Sequence, residues 1–514
     1  MERSLNRIVA VNTLSNYVLI AVRILYVILI TRFLYRALGD DYYGFWSILW
    51  AFFTYVAVFN FGFGATVQKY TAEHLFESDP EKYNKIISLV LMAYFAVSAI
   101  IMGVVGLGVA TMQSWTNIAH PTILFDCKCS LIVFGLGMAI LFPLTTFVDM
   151  LTGLRLIYLK NLVMIALRVA EMIGIYALIA AKAKFIVIVC FSVGANVVFT
   201  AYLLAIVKKK IPSFKFIPRI DKNVFGEIWH FSFFVYLNSL AMLITAKTDR
   251  FVLSSILGLP SVSAYQIGTR LPEMSQSLSS QFQDNVIPVA SNLAKNNDTS
   301  GLKKILVNGM RFSAFVSTGA TVLFYIFAPE TIQALFGFCS PEVVAICRIF
   351  LISQFVYCAI RNVAYRYLQV SSKHKFIAMM SCLQAVATIA LGIWLCQPTR
   401  LGTIGVAWAA LIPNVIVSVF FIFPVAFAKL KITLGEFVSI YLRPVLAVLG
   451  AAGVCVLMQK FLGENLHSIF ALMVAYFCAG VVYLGVAWYV VLSQSERVFL
   501  GEKIWKSVTR KAQI

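Results

Sequence analysis

Apolar runs of roughly 20 residues recur from one end of this chain to the other, separated by short polar intervals. Each run, as a helix, is long enough to cross a hydrocarbon core of ~30 Å. The first series falls near 10–37, 43–65, 86–110, 126–151, 161–181, 185–207 and 228–257. The second falls near 262–290, 305–328, 342–370, 376–396, 403–428, 437–459 and 468–493. The pattern predicts an all-α polytopic membrane protein of about fourteen transmembrane helices. Composition agrees: of the 514 residues 61% are hydrophobic and 12% charged, with a mean hydropathy of +0.87. Such values arise when lipid is the solvent for most of the surface, and they leave no soluble domain.

The longest polar interval between early runs, from Lys208 to Glu227, holds a basic run with Pro212 and Pro218. It reads as a cytoplasmic linker at 211–227 between a six-helix lobe at 1–210 and a second at 228–430. Two additional helices follow within 431–493, then a basic cytoplasmic tail at 494–514. The lobes look related. Arg32, Phe33 and Leu34, then Leu38 and Gly39, then Tyr43, Gly44 and Phe45, are echoed by Arg250, Phe251 and Val252, Leu257 and Gly258, and Ser263, Ala264 and Tyr265. Six helices per lobe with both lobes starting on the same side imply parallel repeats about an axis along the membrane normal, with a site between them.

The net charge of +20 is mostly topology. Of the 42 Lys and Arg residues, 25 fall on one set of alternate loops and ends, Lys160 among them, and six on the other. That asymmetry places both termini in the cytoplasm by the positive-inside rule. It accounts for the charge without nucleic acid, through attraction to anionic headgroups. The first run carries Arg23, is too long for a signal peptide and lacks a small-residue cleavage site, so it is expected to be the first span.

Eleven basic residues remain inside the runs, against five acids: Asp149, Glu171, Asp249, Glu273 and Asp284. A positive charge within the membrane is expensive and needs an anion to meet. Arg23 lies mid-span, beyond the reach of snorkelling. Lys247 and Arg250, three apart, share a helix face on which like charges repel, and adjacent Asp249 points elsewhere. Arg361 has no acid within a turn. Arg168 with Glu171, and Arg270 with Glu273, are either neutralised structural pairs or ligand- and ion-handling groups. Arg32, Arg311, Arg348, Arg366 and Arg443, nearer span ends, are expected to snorkel. The surplus predicts an anionic headgroup on Arg23, Lys247, Arg250, Arg270 and Arg361, since guanidinium forks match phosphate and Lys adds a point charge. Glu171, Asp249 and Glu273 are candidates for Na⁺ or H⁺ coupling or for charge pairing.

The chain has no G-x-x-x-x-G-K-[ST] phosphate loop, no H-E-x-x-H and no G-x-S-x-G elbow, so nothing argues for ATP hydrolysis, metal hydrolysis or a serine nucleophile. No cofactor is expected. Most of the ten cysteines lie in or beside apolar runs as small hydrophobes. Cys127 and Cys129, though close, do not make a zinc site.

Three stretches carry a family resemblance: Asn60, Phe61, Gly62, Phe63, Gly64 and Ala65 leading into Gln68, Lys69 and Tyr70; Asp249, Arg250 and Phe251 followed by Leu257, Gly258, Ser263, Ala264 and Tyr265; and Leu401, Gly402, Thr403, Ile404, Gly405, Val406 and Ala407. Over essentially its whole length the chain resembles the polysaccharide transporter (Wzx-type flippase) family of the multidrug/oligosaccharidyl-lipid/polysaccharide superfamily. The resemblance implies two six-helix lobes and alternating access around a central cavity. It also implies a polyprenyl-pyrophosphate-linked oligosaccharide moved from the cytoplasmic to the outer leaflet of a bacterial inner membrane. Membrane lipids, a glycan polymerase or glycosyltransferases are the expected partners. The same composition also suits a peptidoglycan-precursor (lipid II) flippase. A cation-coupled multidrug exporter is disfavoured by Arg23 in an acid-free first span. A non-transporting scaffold would be poorly served by so many buried cations.

Overall fold

The computed structural model describes residues 2–497 apart from 59–62, 75–79, 119, 155, 213, 218–246, 285–298, 371–373, 464–465, 467, 492–493 and 495–496. Every regular element among the described residues is helical. Helices suit the composition, because each satisfies its own backbone where lipid offers no hydrogen bonds. The contacts divide the chain into two compact units, Met1–Ala264 with Cys396–Thr399, and Tyr265–Leu395 with Arg400–Ile514.

Unit 1 opens with α1 (Glu2–Val58), interrupted at Gly39, whose φ of 74° and ψ of −173° are not helical. Glycine alone adopts that conformation readily, so one residue separates the first and second expected spans. There follow α2 (Phe63–His74), α3 (Pro80–Ala110), the short α4 (Met112–Thr116), α5 (Pro121–Gly153), α6 (Ile157–Ala180), α7 (Phe185–Lys210) and α8 (Asp249–Ile256). Helix α5 is central, packing against α2, α3 and α7, while α1 lies along α6. Leu34, Tyr43, Phe45, Leu49, Tyr94 and Phe134 are almost wholly buried among them. At Gly153 the backbones of α5 and α2 approach so closely that a Cβ would lie 2.6 Å from the Gln68 carbonyl oxygen.

Helix α9 (Leu259–Gly268) carries the chain into unit 2, which continues as α10 (Arg270–Asp284), α11 (Thr299–Ile326), α12 (Ala328–Phe336) and α13 (Pro341–Phe355). Helix α13 runs into a π-helical turn, π1 (Val356–Arg361), followed by α14 (Asn362–Val370) and α15 (His374–Leu395). A second π segment, π2 (Ile416–Ile422), joins α16 (Gly402–Val415) to α17 (Phe423–Leu430). The final pair is α18 (Leu434–Leu462) and α19 (Ile469–Val490). Helix α11 is the hub, packing against α10, α13 and α18. Tyr483 of α19 stacks on Phe315 of α11, with ring centroids 4.8 Å apart, and its hydroxyl donates to the Phe315 carbonyl at 2.7 Å. The last two helices thus dock on unit 2 through the hub.

Among the described residues ten helices are long and apolar enough to cross a membrane, or eleven if the pair Ser300–Ile326 and Ala328–Phe336, bent by 70°, is one span. Twelve of the fourteen expected runs map onto these. The window Val18–Thr54, counted once, contains Gly39 and holds two runs. The run at 262–290 is divided at Thr269 into α9 and α10, and the Ser and Gln residues of α10 make that helix too polar to count among them. The run at 228–257 lies outside the described residues as far as 246.

The contact division also falls later than the expected linker. Helix α8 packs on α4 in unit 1: Ser254 Oγ donates to the Trp115 carbonyl at 2.9 Å, and the Trp115 and Phe251 rings are 6.3 Å apart. The described start of the linker is tied to α3, with Lys215 N donating to Asn84 Oδ1 at 3.2 Å and Ile217 N to Ser88 Oγ at 2.8 Å. The rest of the linker and nearly all of the basic tail lie outside the described residues.

Candidate functional site

In unit 1, α1, α6 and α7 meet around one carboxylate. Glu171 is wholly buried. One of its oxygens pairs with Arg168 at 2.5 Å; the other accepts from Ser192 and from Asn196 Nδ2 at 3.1 Å. The Arg168 guanidinium lies 5.0 Å from the Tyr26 ring centroid. Both oxygens of this carboxylate are thus engaged, the arrangement a buried charge requires. A turn or two away, Gln68 Nε2 donates to Asp149 Oδ1 at 2.9 Å, and Lys160 lies within electrostatic reach of both Asp149 and Arg23. The close approach at Gly153 is what brings Gln68 to α5.

Arg23 is exposed on α1, and its charged neighbours are Arg168 and Lys160. Among the described residues no carboxylate pairs with it. Glu171 is matched to Arg168, and Arg23 brings a further positive charge beside that pair. On α8, Arg250 is buried at 5% exposure and Lys247 and Asp249 are half-buried. Asp249 Oδ1 accepts from the Arg250 backbone N–H at 2.8 Å.

In unit 2, Arg270 pairs with Glu273 at 3.1 Å across the first turn of α10. Arg361 closes π1 and is buried at 3% exposure. The i→i+5 bonds of a π turn widen the helix locally, a device that often accompanies functional side chains. Its guanidinium donates to Gln384 Oε1 and to Ser381 Oγ at 3.4 Å, lies 5.8 Å from the Tyr357 ring centroid, and keeps a buried Nε without a partner. All of these partners are neutral, and among the described residues no carboxylate pairs with Arg361. The two π segments pack against each other. Beside π2, Asn414 Nδ2 donates to the Ser353 carbonyl at 2.8 Å.

Of the residues singled out from sequence, Arg23, Lys247, Asp249 and Arg250 stand in unit 1 with Glu171, and Arg270, Glu273 and Arg361 stand in unit 2. Arg311, expected to snorkel from a span end, is instead buried at 8% exposure in the middle of α11. Its guanidinium lies 5.4 Å from the Phe312 ring centroid, because α11 begins earlier than its apolar run and carries Arg311 inward. Lys160, assigned to an inner loop, is in the first turn of α6 and half-buried. The residues that charge counting passed over are the neutral ones: Gln68, Ser192, Asn196, Ser381 and Gln384. Their signal was polar side chains within apolar runs, which the membrane penalises unless a partner waits. The side chain of Asp284 lies outside the described residues. Among the described residues no group of three His, Cys, Asp or Glu side chains is arranged to hold a metal ion; Cys127 is buried and Cys129 half-buried on α5.

The family profile "polysaccharide biosynthesis protein" matches residues 33–345, over half of the chain. The protein belongs to that family. No curated protein matches. Among solved structures, the fold is similar to the lipid II flippase MurJ in an inward closed conformation, at 15% identity and a TM-score of 0.68, over 93% of this chain and 97% of that one. It is similar also to an inward-facing multidrug resistance MATE family transporter of the MOP superfamily, at 14% identity and a TM-score of 0.66, over 79% and 94% of the two chains. A third is a MOP superfamily transporter from Pyrococcus furiosus, described as having a binding pocket of reversed polarity, at 12% identity and a TM-score of 0.60, over 83% and 96%. The fold is therefore that of a multi-pass membrane protein of the MOP type, and the proteins it resembles are transporters and flippases, not enzymes.

Proposed function

We propose that this protein is a flippase that carries a polyprenyl-pyrophosphate-linked oligosaccharide from the cytoplasmic to the outer leaflet of a bacterial inner membrane, by alternating access. The observation that carries this reading is Arg23 and Arg361, one guanidinium within an apolar helix of each unit, Arg23 exposed and Arg361 buried, neither paired with a carboxylate among the described residues. Placing a cation within the membrane without an anion is unfavourable by several kcal/mol (~2.5–3.5 at a span centre on insertion scales). Such a cost is recovered when a ligand supplies the missing negative charge. A pyrophosphate does so, and guanidinium forks match its oxygens. Sugars and pyrophosphate cannot cross hydrocarbon unaided, because their polar groups would lose water without replacement; the lipid tail has no such need and can stay in the bilayer.

Membership of the polysaccharide biosynthesis family supports an oligosaccharide rather than a drug as cargo. The loop charges support an inner-membrane orientation with both termini in the cytoplasm. Lys247, Arg250 and Arg270 complete the proposed headgroup set. Glu171, Asp249 and Glu273 are the carboxylates available for Na⁺ or H⁺ coupling, and a glycan polymerase or glycosyltransferases are the proposed partners. The MurJ-like fold supports a second reading with the same headgroup chemistry, a peptidoglycan precursor as cargo. The test is neutralisation of Lys247 and Arg250 together. The double variant is expected to insert at normal level and to lose translocation in reconstituted vesicles; normal transport by it sinks the proposal.

A further inference from the structure

Unit 1 has a cleft of about 660 Å³ between the break in α1, the first turns of α5 and the residues leading into α7. That volume lies within the range of small-molecule sites, ~300–1,000 Å³. Tyr42 and Phe185 line it, their ring centroids 5.0 Å apart, and Asp126 and Lys184 bring one charge of each sign. The Tyr42 hydroxyl donates to Asp126 Oδ2 at 2.8 Å. This holds the carboxylate in place yet uses only part of its accepting capacity. Lys184 is exposed, and among the described residues no carboxylate pairs with it.

The other end of the cleft is apolar. Phe125 lines it and is 68% exposed. From Phe125 an exposed stripe runs along α5 through Ile132, Leu136 and Ile140, at spacings that keep one helix face. One end therefore offers an anion, a cation and an aromatic wall, and the other a continuous hydrocarbon-facing track.

We propose that this cleft binds a phospholipid whose headgroup carries a primary ammonium. The ammonium meets Asp126 and the Tyr42 ring, the phosphate meets Lys184, and an acyl chain follows Phe125 and Ile132. The charge pattern selects this occupant. An anionic glycerol headgroup sets only neutral hydroxyls beyond its phosphate and leaves the Asp126 charge without a counter-ion, and a quaternary ammonium has no N–H to donate to the carboxylate. A free sugar would leave the apolar track unused. With the topology proposed above, this end of unit 1 faces the outer leaflet. The leaflet rests on that reading, whereas the headgroup preference does not.

The test is native mass spectrometry of the purified full-length chain, delipidated in mild detergent and exposed separately to phosphatidylethanolamine, phosphatidylcholine and phosphatidylglycerol. Phosphatidylethanolamine is expected to be retained about tenfold over phosphatidylcholine, the ratio one charge-assisted hydrogen bond supplies. Asp126→Asn is expected to abolish that preference, and Lys184→Gln to weaken retention of both zwitterionic lipids. Equal retention of the three lipids overturns the proposal, as does a preference that survives Asp126→Asn. If Asp126→Asn does not fold, the wild-type chain decides with mono-, di- and trimethylated ethanolamine headgroups. Loss of retention by the trimethylated headgroup, from which the last N–H is gone, supports the site; a flat series overturns it. Neither result bears on transport.

Discussion

Unit 1 and unit 2 each set a guanidinium among packed helices, and they treat it in opposite ways. Arg168 is matched at 2.5 Å by Glu171, which is itself held by Ser192 and Asn196 from the neighbouring helix. Arg361 lies deeper, 3% exposed against 21% for the Arg168 side chain, but meets an amide, a hydroxyl and an aromatic ring. The first arrangement is closed: charge and counter-charge cancel within the unit and nothing more is needed. The second is open, since neutral dipoles solvate a cation only in part and leave its charge for an anion to meet. Inward charge is therefore not one feature here. A matched pair holds helices together, and an unmatched cation is built to receive something.

Substitutions break this comparison at its sharpest point. Arg168→Met leaves Glu171 buried and unpaired and is expected to destabilise unit 1 by about 3–5 kcal/mol, read as a lowered melting temperature in detergent. Adding Glu171→Gln should recover most of that loss. If Arg168→Met is as stable as the wild type, the pair is not what closes this cluster. Arg361→Met strands no carboxylate, so its melting temperature should move less than that of Arg168→Met. Its transport of a pyrophosphate-linked glycan should fall roughly a hundredfold, the loss expected for one charge-assisted contact of about 2.7 kcal/mol. The reverse pattern, a stable Arg168→Met that has lost transport and a destabilised Arg361→Met that still transports, would exchange the two roles.

Smaller effects test how the clusters are held. Gly39→Ala meets no neighbour within 4 Å, so its cost is purely that of the backbone conformation, about 1–3 kcal/mol, measurable by thermal unfolding. An unchanged Tm would mean that the break in α1 tolerates ordinary residues. The pair Lys303 and Glu436, 3.1 Å apart and about a third exposed on each side, ties α11 to the start of α18. Lys303→Ala should change stability by no more than about 1 kcal/mol, and a larger drop would mark that contact as a latch rather than a surface pair.

Much of the architecture was legible in the residue pattern, for a simple reason. Lipid demands long apolar runs, and these run lengths mark helices without any knowledge of packing. What periodicity could not show is where one helix ends inside a run. Gly39 and Thr269 break runs through backbone conformation and side-chain polarity, and α10 is a polar helix in a run that reads as a span only when averaged with its neighbours. The charged residues were legible as types and positions, and the i,i+3 pairs Arg168 with Glu171 and Arg270 with Glu273 follow from helix geometry alone. Their sorting into matched and unmatched was not. It depends on Ser192, Asn196, Ser381 and Gln384, which come from other helices 20 or more residues away in the chain, so that only packing reveals them. Arg311 shows the same limit: its depth is set by where α11 starts, not by its distance from the end of an apolar run.

The most direct test is leaflet accessibility of a polyprenyl-pyrophosphate oligosaccharide in proteoliposomes holding the purified chain, compared with protein-free vesicles and with vesicles holding Arg361→Met. Protein-dependent appearance in the opposite leaflet, lost in the variant, is the predicted result. No movement across a panel of glycans under both Na⁺ and H⁺ gradients, or movement that the variant preserves, would contradict it.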